Sequence, residues 1–287
     1  MVSVLARLTD FALKPFLRLL GGRVATQELW QHLHRSALAG MNIGGGSDLN
    51  DSGELWALRH AARALDGVRP LTVFDVGANI GGYASAVLRE LKGRVHLCCF
   101  EPSKAAFSKL AEAVSGFENV QLFNIGLSNA DGPVLLHADA PCSGLASFYH
   151  RRLDHIGISM PMSEEVETRT LDGFCAEHAI ESIDFLKLDV EGHELKVLEG
   201  AGGLIAKDAI GFIQFEFGGC NIDSRTFFQD LFYLLNPRFR VYRILKHGLA
   251  PIDHYRETLE QFVTTNFLAI NRNAVAHALP LTGTRKP

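Results

Sequence analysis

The stretch DFLKLDVEGHELKVLEGA, Asp184 to Ala201, places Lys187, Asp189, Glu191, His193 and Glu194 within and just after an apolar run that reads as a buried strand. Ionisable groups are costly in a dry sheet unless they are paired or put to use. On a strand, residues 185, 187 and 189 share a face, so Phe185, Lys187 and Asp189 point one way and Leu186, Leu188 and Val190 the other. Asp75, Asp189 and Glu216 are the carboxylates able to neutralise Lys187, and a structural ion pair explains that lysine as well as chemistry does. Asp189 and Glu191 fall at the strand end, and Gly192 permits a sharp departure into the next helix. His193 titrates near neutral pH and could take a proton from a hydroxyl, although a capping or surface histidine would fit the same position. Glu216, in IQFEF, closes another apolar run at the same edge. Asp189, His193 and Glu216 are therefore the candidate catalytic residues. Such carboxylates could also ligate a hard divalent cation, but no metal ligands are assigned.

A second constellation concerns a cofactor. VFDVGANIGGY, residues 73–83, sets Asp75 at a strand end, Gly77 just after the turn and Gly81 at a helix entry. A dinucleotide fold would show GxGxxG there, with room for a pyrophosphate at the helix N-terminus; this chain has DxGxxxG. CCFEP places Glu101 about 24 residues after Gly77, on the adjacent strand, where a carboxylate can accept both ribose hydroxyls of an adenosine. Glycines in a strand–helix turn need no ligand to explain them. Joined to Glu101, they suit a nucleoside with a cationic centre and no phosphates, of which S-adenosylmethionine is one.

The elements that must position these residues alternate along the chain. Strand patterns at 71–76, 94–100 and 119–126 are separated by helical patterns YASAVLREL and SKAAFSKLAEAV. Strands joined by helices imply parallel pairing with right-handed crossovers, with ligands beyond the carboxyl ends of the strands. The rhythm breaks at about 130–182, where GPVLLHAD and EVETRTL read as strands, TLDGFCAEHAI as a helix, and APCSGLASFYHRRLDHIGISMPM as a long loop of the kind that selects substrates. It resumes with a strand at 183–190, a helix over 191–203, a strand at 210–217, the helix SRTFFQDLFYLLN and two last strand-like runs, FRVYRIL and FVTTNFLAIN. Residues 1–40 read as helical, and a further helix runs to about Asp66. The predicted organisation is an N-terminal helical extension over 1–66 and a nucleoside-binding α/β domain over 67–287.

Composition narrows the classes. With 47% hydrophobic and 21% charged residues the chain is an ordinary globular one, and a net charge of -4 gives no basic face for nucleic acid. Five cysteines without a CxxC pair support neither a disulfide framework nor a zinc knuckle, so a reducing cytoplasm is expected. The first 22 residues carry Arg7, Asp10, Lys14, Pro15 and Arg18, which interrupt any secretory h-region, and no run is long enough to span a bilayer. Their amphipathic pattern could touch a membrane surface peripherally. A helix packed on its own domain or on a second copy of the chain is the preferred explanation.

At these residues a family resemblance becomes strong. FDVGANIGGYASAVLRE, CFEPSKAAFSKL, NIGLSNADG, TLDGF, IDFLKLDVEGHELKVLEGA, IQFEF and NFLAINR, from about Leu71 to Arg272, resemble the FkbM-type methyltransferases. The resemblance implies a class I methyltransferase fold: a Rossmann-like sheet of seven strands, mostly parallel with the last antiparallel. It implies S-adenosylmethionine as methyl donor and transfer to a hydroxyl of a sugar, polysaccharide or natural product. It also implies that Asp75, Gly77, Asn79 and Gly81 form the first cofactor loop and that Glu101 binds the ribose. Gly126 and Leu127 would meet the adenine, and Asp189 and Glu191 are the acids of the LKxDVEGxE block. A nicotinamide-dependent oxidoreductase of similar topology is disfavoured by the glycine spacing and by the lack of a Tyr-x-x-x-Lys pair. A nucleoside-binding protein without catalysis is disfavoured by the intact acids.

Overall fold

The structure, a computed structural model, describes residues 2–45, 49, 51–65 and 69–273, with side chains from residue 11 onward. The chain forms two compact units, residues 1–43 and 44–287. The expected helix end near Asp66 and the boundary drawn between 66 and 67 lie outside the described residues.

In the first unit α1 (Val2–Leu20) and α2 (Gln27–Gly40) are joined by a short 3₁₀ turn. The Leu20 carbonyl fixes the turn by accepting from Thr26 Oγ1 at 2.5 Å and from the Trp30 indole at 3.1 Å. Phe11, Phe16, Leu17 and Leu19 of α1 are exposed.

The second unit opens with α3 (Glu54–Ala64). The sheet rhythm then runs β1 (Leu71–Val76), α4 (Gly82–Leu91), β2 (Val95–Phe100), α5 (Lys104–Val114) and β3 (Val120–Phe123). Next come β4 (Gly126–Ser128), β5 (Gly132–Ala138), β6 (Met162–Thr170) and α6 (Leu171–Glu177). The chain continues with β7 (Ile183–Leu188), α7 (Glu194–Glu199), α8 (Gly202–Ala206), β8 (Ile210–Phe217), α9 (Cys220–Ser224) and α10 (Phe228–Leu235). It closes with β9 (Phe239–Leu245), β10 (Gly248–Ile252) and β11 (Thr265–Asn271).

The main sheet has the order β10-β9-β11-β8-β7-β1-β2-β3, and β4, β6 and β5 form a small separate sheet. From β3 to β8 all pairs are parallel, and β11 is antiparallel to both β8 and β9. The expected α/β class holds, but the strand number is corrected from seven to eight. The addition is β10, which forms an antiparallel hairpin with β9 at the sheet edge. Its Pro251 cannot donate to a ladder, which is tolerated at an edge and masks the strand pattern in the sequence.

Two further boundaries are corrected. The single strand expected over 119–126 divides, because the Asn124 amide donates to the carbonyls of Glu101 and Pro102 and the chain then leaves the main sheet to pair with β6. The helix expected over 191–203 divides at Gly200–Ala201, where the Asp172 carboxylate accepts from the amides of Gly203 and Leu204 and so caps α8 separately.

Both sheet faces are covered. Phe74, Leu186, Leu188, Ile213 and Phe215 pack beneath α6, α7 and α10 on one face; Val73, Phe185 and Phe212 pack beneath α3, α4 and α5 on the other. That is why β7 and β8 read as near-continuous apolar runs. The second face also carries a polar row in register across three strands, Asp75, Lys187 and Gln214. Lys187 Nζ lies 3.0 Å from Asp189, 3.6 Å from Asp75 and 4.8 Å from the centre of the Tyr83 ring. Glu54, from α3, accepts from Gln214 at 3.0 Å and is bonded to Ser52. Burial pulls Lys187 toward neutrality, but Asp189, Asp75 and Glu54 outweigh it and hold its pKa well above the ordinary value. Of the three expected partners the lysine uses Asp75 and Asp189, and Glu216 forms no ion pair with it.

Candidate active site

Beyond the carboxyl ends of β1, β2 and β7 the turns diverge and leave a cleft of about 640 Å³, counting its open mouth. Its floor is the β1–α4 turn. Gly77 has φ +82°, and a Cβ there would lie 1.9 Å from the Asp189 carbonyl oxygen, so only glycine lets the β1 and β7 turns approach this closely. Asn79 follows with φ 45°. Its amide and that of Ser103 each donate at 2.8 Å to one oxygen of Glu101, which fixes the carboxylate against the cleft. Burial raises the Glu101 pKa to about 7 despite those two amides.

Asp189 and Glu191 line the same cleft. Asp189 Oδ2 accepts from Lys187, and its side chain remains 39% exposed. Its Oδ1 has no hydrogen-bond partner among the described residues. Glu191 holds the strained φ of 50° and accepts from Arg151 Nη1 at 2.5 Å. Burial, and then Asp189, raise the Glu191 pKa to about 8, and the Arg151 guanidinium opposes them.

The structure therefore brings Gly77, Asn79, Glu101, Gly126, Leu127, Asp189 and Glu191 around one cavity. It sets Asp75, Gly81, His193 and Glu216 apart from the lining. Asp75 is fully buried beneath the turn, raised by burial against the opposing charge of Lys187. Gly81 packs against Leu110 and Ala113 of α5. Glu216 lies one strand further out, its carboxyl raised well above the usual range by burial and then by Asp189 and Glu191.

His193 does not face the cleft from its rim as its spacing suggested. It is buried, with Nε2 2.9 Å from Ser128 Oγ and Nδ1 3.1 Å from Tyr149 Oη. Burial, reinforced by Lys196, lowers its pKa to about 4. The neighbouring Glu194 caps the turn instead, accepting from the amides of Val190 and Gly192.

Ser143, Gly144, Ala146, Ser147 and Phe148, from the long loop before β6, also line the cavity. Sequence reasoning assigned this loop to the acceptor and named none of these residues; the loop's length was the only signal. Arg151 was missed for the same reason. Among the described residues no cluster of three His, Cys, Asp or Glu is arranged to hold a metal ion.

The donor set fits a nucleoside. A buried carboxylate fixed by two amides faces a glycine-lined turn, and an apolar wall of Ile125, Leu127 and Leu136 completes the pocket.

Comparison with known proteins agrees with that chemistry. The curated 2-O-methyltransferase NoeI of Sinorhizobium fredii is 30% identical over 146 residues, 47% of this chain and 59% of its own length. The hexuronic acid methyltransferase AglP of Haloferax volcanii is 26% identical over 156 residues, 51% of this chain and 60% of its own. The chain thus spans about three-fifths of the length of these two relatives. A solved fibrillarin pre-rRNA processing protein of Methanococcus jannaschii superposes with a TM-score of 0.43 at 13% identity, over 78% of this chain and 76% of that one. The Methyltransferase FkbM domain matches residues 75–244, from the end of β1 to β9 and more than half of the sequence. The chain belongs to the FkbM methyltransferase family, whose methyl donor is S-adenosylmethionine.

Proposed function

We propose that the protein methylates a hydroxyl of a sugar or glycan acceptor. The observation that carries this reading is one cleft lined by both an amide-fixed Glu101 and a half-exposed Asp189. The kinship to a 2-O-methyltransferase and a hexuronic acid methyltransferase supports both the oxygen and the sugar. S-adenosylmethionine, when bound, supplies an electrophilic methyl group on a cationic sulfur.

The chain's own residues bind, orient and move a proton. Glu101 accepts from the ribose hydroxyls, Gly77 and Asn79 let the main chain approach, and Gly126 and Leu127 border the base. Asp75 and Gly81 act from below by shaping the loop. Asp189 Oδ1 receives the proton of the acceptor hydroxyl, while Lys187 on Oδ2 keeps the carboxylate in place. Glu216, on the same edge but outside the cavity lining and with its carboxyl raised well above the usual range by burial, is the weaker candidate for that proton. Much of the rate would come from holding the reactants together in the cleft.

The test is incubation with S-adenosylmethionine and a panel of neutral sugars and uronic acids, read by mass spectrometry, alongside calorimetry with S-adenosylhomocysteine and NAD. Tighter binding of NAD would return the oxidoreductase reading. Nucleoside binding with no methylated product across the panel would favour a non-catalytic protein.

Peripheral membrane contact through α1 is supported by its exposed Phe11, Phe16, Leu17 and Leu19 beside Lys14 and Arg18. Co-sedimentation with anionic but not zwitterionic vesicles tests it, and self-association through the same face is the other outcome. No helix among the described residues is long and apolar enough to cross a membrane. The five free cysteines support a cytoplasmic setting.

A further inference from the structure

The loop over 139–161 contains no strand and only one short 3₁₀ turn, yet it is tied down at several points. Ser147 exchanges two backbone hydrogen bonds with His137, at 2.8 and 2.9 Å, and its hydroxyl donates to the Glu191 carbonyl at 2.7 Å. Arg151, buried, reaches Glu191 at 2.5 Å and Asp223 at 3.8 Å. Tyr149 Oη meets His193 Nδ1 at 3.1 Å, and His193 Nε2 is secured in turn on Ser128.

Phe148 sits between these ties. Its ring meets that of His193 edge to face, with centres 4.8 Å apart. A Cβ at residue 126 would lie 2.7 Å from Phe148 Cζ, so glycine at that position is what admits the ring to the wall of the cleft.

We infer that Phe148 is a nucleoside-binding residue, and that His193, with Tyr149, is a positioning residue that holds its ring in the cofactor cleft. Three observations converge on it. Phe148 lines the same wall as Gly126 and Leu127. His193 has both ring nitrogens engaged, which leaves it to support the ring and not to accept a proton. The loop is anchored on the turn that carries Asp189 and Glu191, so the loop and those acids are built on one support. Aromatic side chains hold bases by stacking and need no polar partner to do so.

This inference rests on the cofactor reading of the cleft, and its test separates the two. Calorimetric titration of the full chain with S-adenosylhomocysteine and with adenosine would compare Phe148→Leu, His193→Ala, His193→Asn and Tyr149→Phe with Glu101→Ala, after thermal melts have confirmed folding. Phe148→Leu is expected to weaken both ligands about tenfold. His193→Ala should weaken them several-fold and raise the KM for S-adenosylmethionine more than it lowers kcat. His193→Asn, which keeps one polar contact, should recover part of that loss, and the pH profile of kcat should keep its shape. If Glu101→Ala weakens binding and Phe148→Leu does not, the inference about the loop is wrong and the cleft reading stands. If neither does, the cleft is not the cofactor site. A loss of kcat of about 100-fold in His193→Ala with unchanged KM and a missing acid limb would make His193 a proton acceptor and overturn its positioning role.

Discussion

The sheet holds ionisable side chains in two places that look alike in sequence and differ in every physical respect. Inside, Asp75, Lys187 and Glu54, linked through the neutral Gln214, form a dry row bridging three strands and α3. At the edge, Glu101, Asp189 and Glu191 face a cavity. The inner groups answer to one another and are bound to the fold; at the edge Asp189 is held through Oδ2 alone, whereas Glu101 has one amide on each oxygen and turns its carboxylate to the cavity. Lys187 belongs to both, because it neutralises Asp75 below and orients Asp189 above. A buried charge is thus explained by its partners, and the proposed role of Asp189 by the oxygen its partner leaves open.

The sharpest break of this contrast is Lys187→Met. It strands Asp75 in the core, and the expected loss is about 3–5 kcal/mol of stability, read as a lowered melting temperature. The double change Asp75→Asn with Lys187→Met should restore part of it, since the uncompensated charge is gone. A double variant as unstable as the single one would mean that packing, not charge, is what Lys187 supplies.

Asp189→Asn should act oppositely. Asp75 and Glu54 still neutralise Lys187, so the melt should move far less, while methyl transfer falls about 10²–10⁴-fold through loss of the proton acceptor. Full turnover in this variant would pass the proton to Glu216 or leave the rate to positioning alone.

Glu101→Ala tests the amide-fixed acid of the cleft and should weaken S-adenosylhomocysteine binding by about 1–3 kcal/mol, measured by calorimetry. An unchanged dissociation constant would remove the residue from the ribose site.

The smallest effect concerns Glu194, whose carboxyl burial raises to about 7. A raised carboxyl means that the folded state binds the proton more tightly than the unfolded chain. Its contribution to stability is therefore full below the ordinary carboxylate pKa and is lost as pH rises through about 7. Glu194→Gln keeps an acceptor for the Val190 and Gly192 amides and cannot ionise. Relative to it, the natural protein should lose stability with rising pH by at most about 1.4 kcal/mol per pH unit. Parallel denaturation curves for the two proteins between pH 5 and 8 would show that Glu194 stays ionised throughout.

What was legible in the sequence follows range of interaction. The strands β1, β2, β7 and β8, their parallel order and the shared face of Lys187 and Asp189 rest on periodicity within a few residues, and the structure reproduces them. Glycine at 77 and the acid at 101 were legible because a tight turn and a fixed strand spacing leave few alternatives. His193 misled for the converse reason. An ionisable ring next to acids at a strand end looks reactive until Ser128 and Tyr149, each more than forty residues away in the chain, are seen to occupy its two nitrogens.

The amino-acid sequence by itself determined the class of sheet, the family and the acids at the strand ends, since burial on both faces demands apolar runs and a nucleoside demands a carboxylate at a set distance. Only the tertiary structure decided which acids are free. Asp75 and Asp189 end strands of the same sheet, and nothing local separates them. Folding places Asp75 under α3 and α4, where no ligand can reach, and leaves Asp189 at the open edge. It likewise brings Phe148 and Arg151 from a loop without pattern against residues 126 and 191. Contacts between distant segments carry no period, so they are specified only once the whole chain has closed around its core.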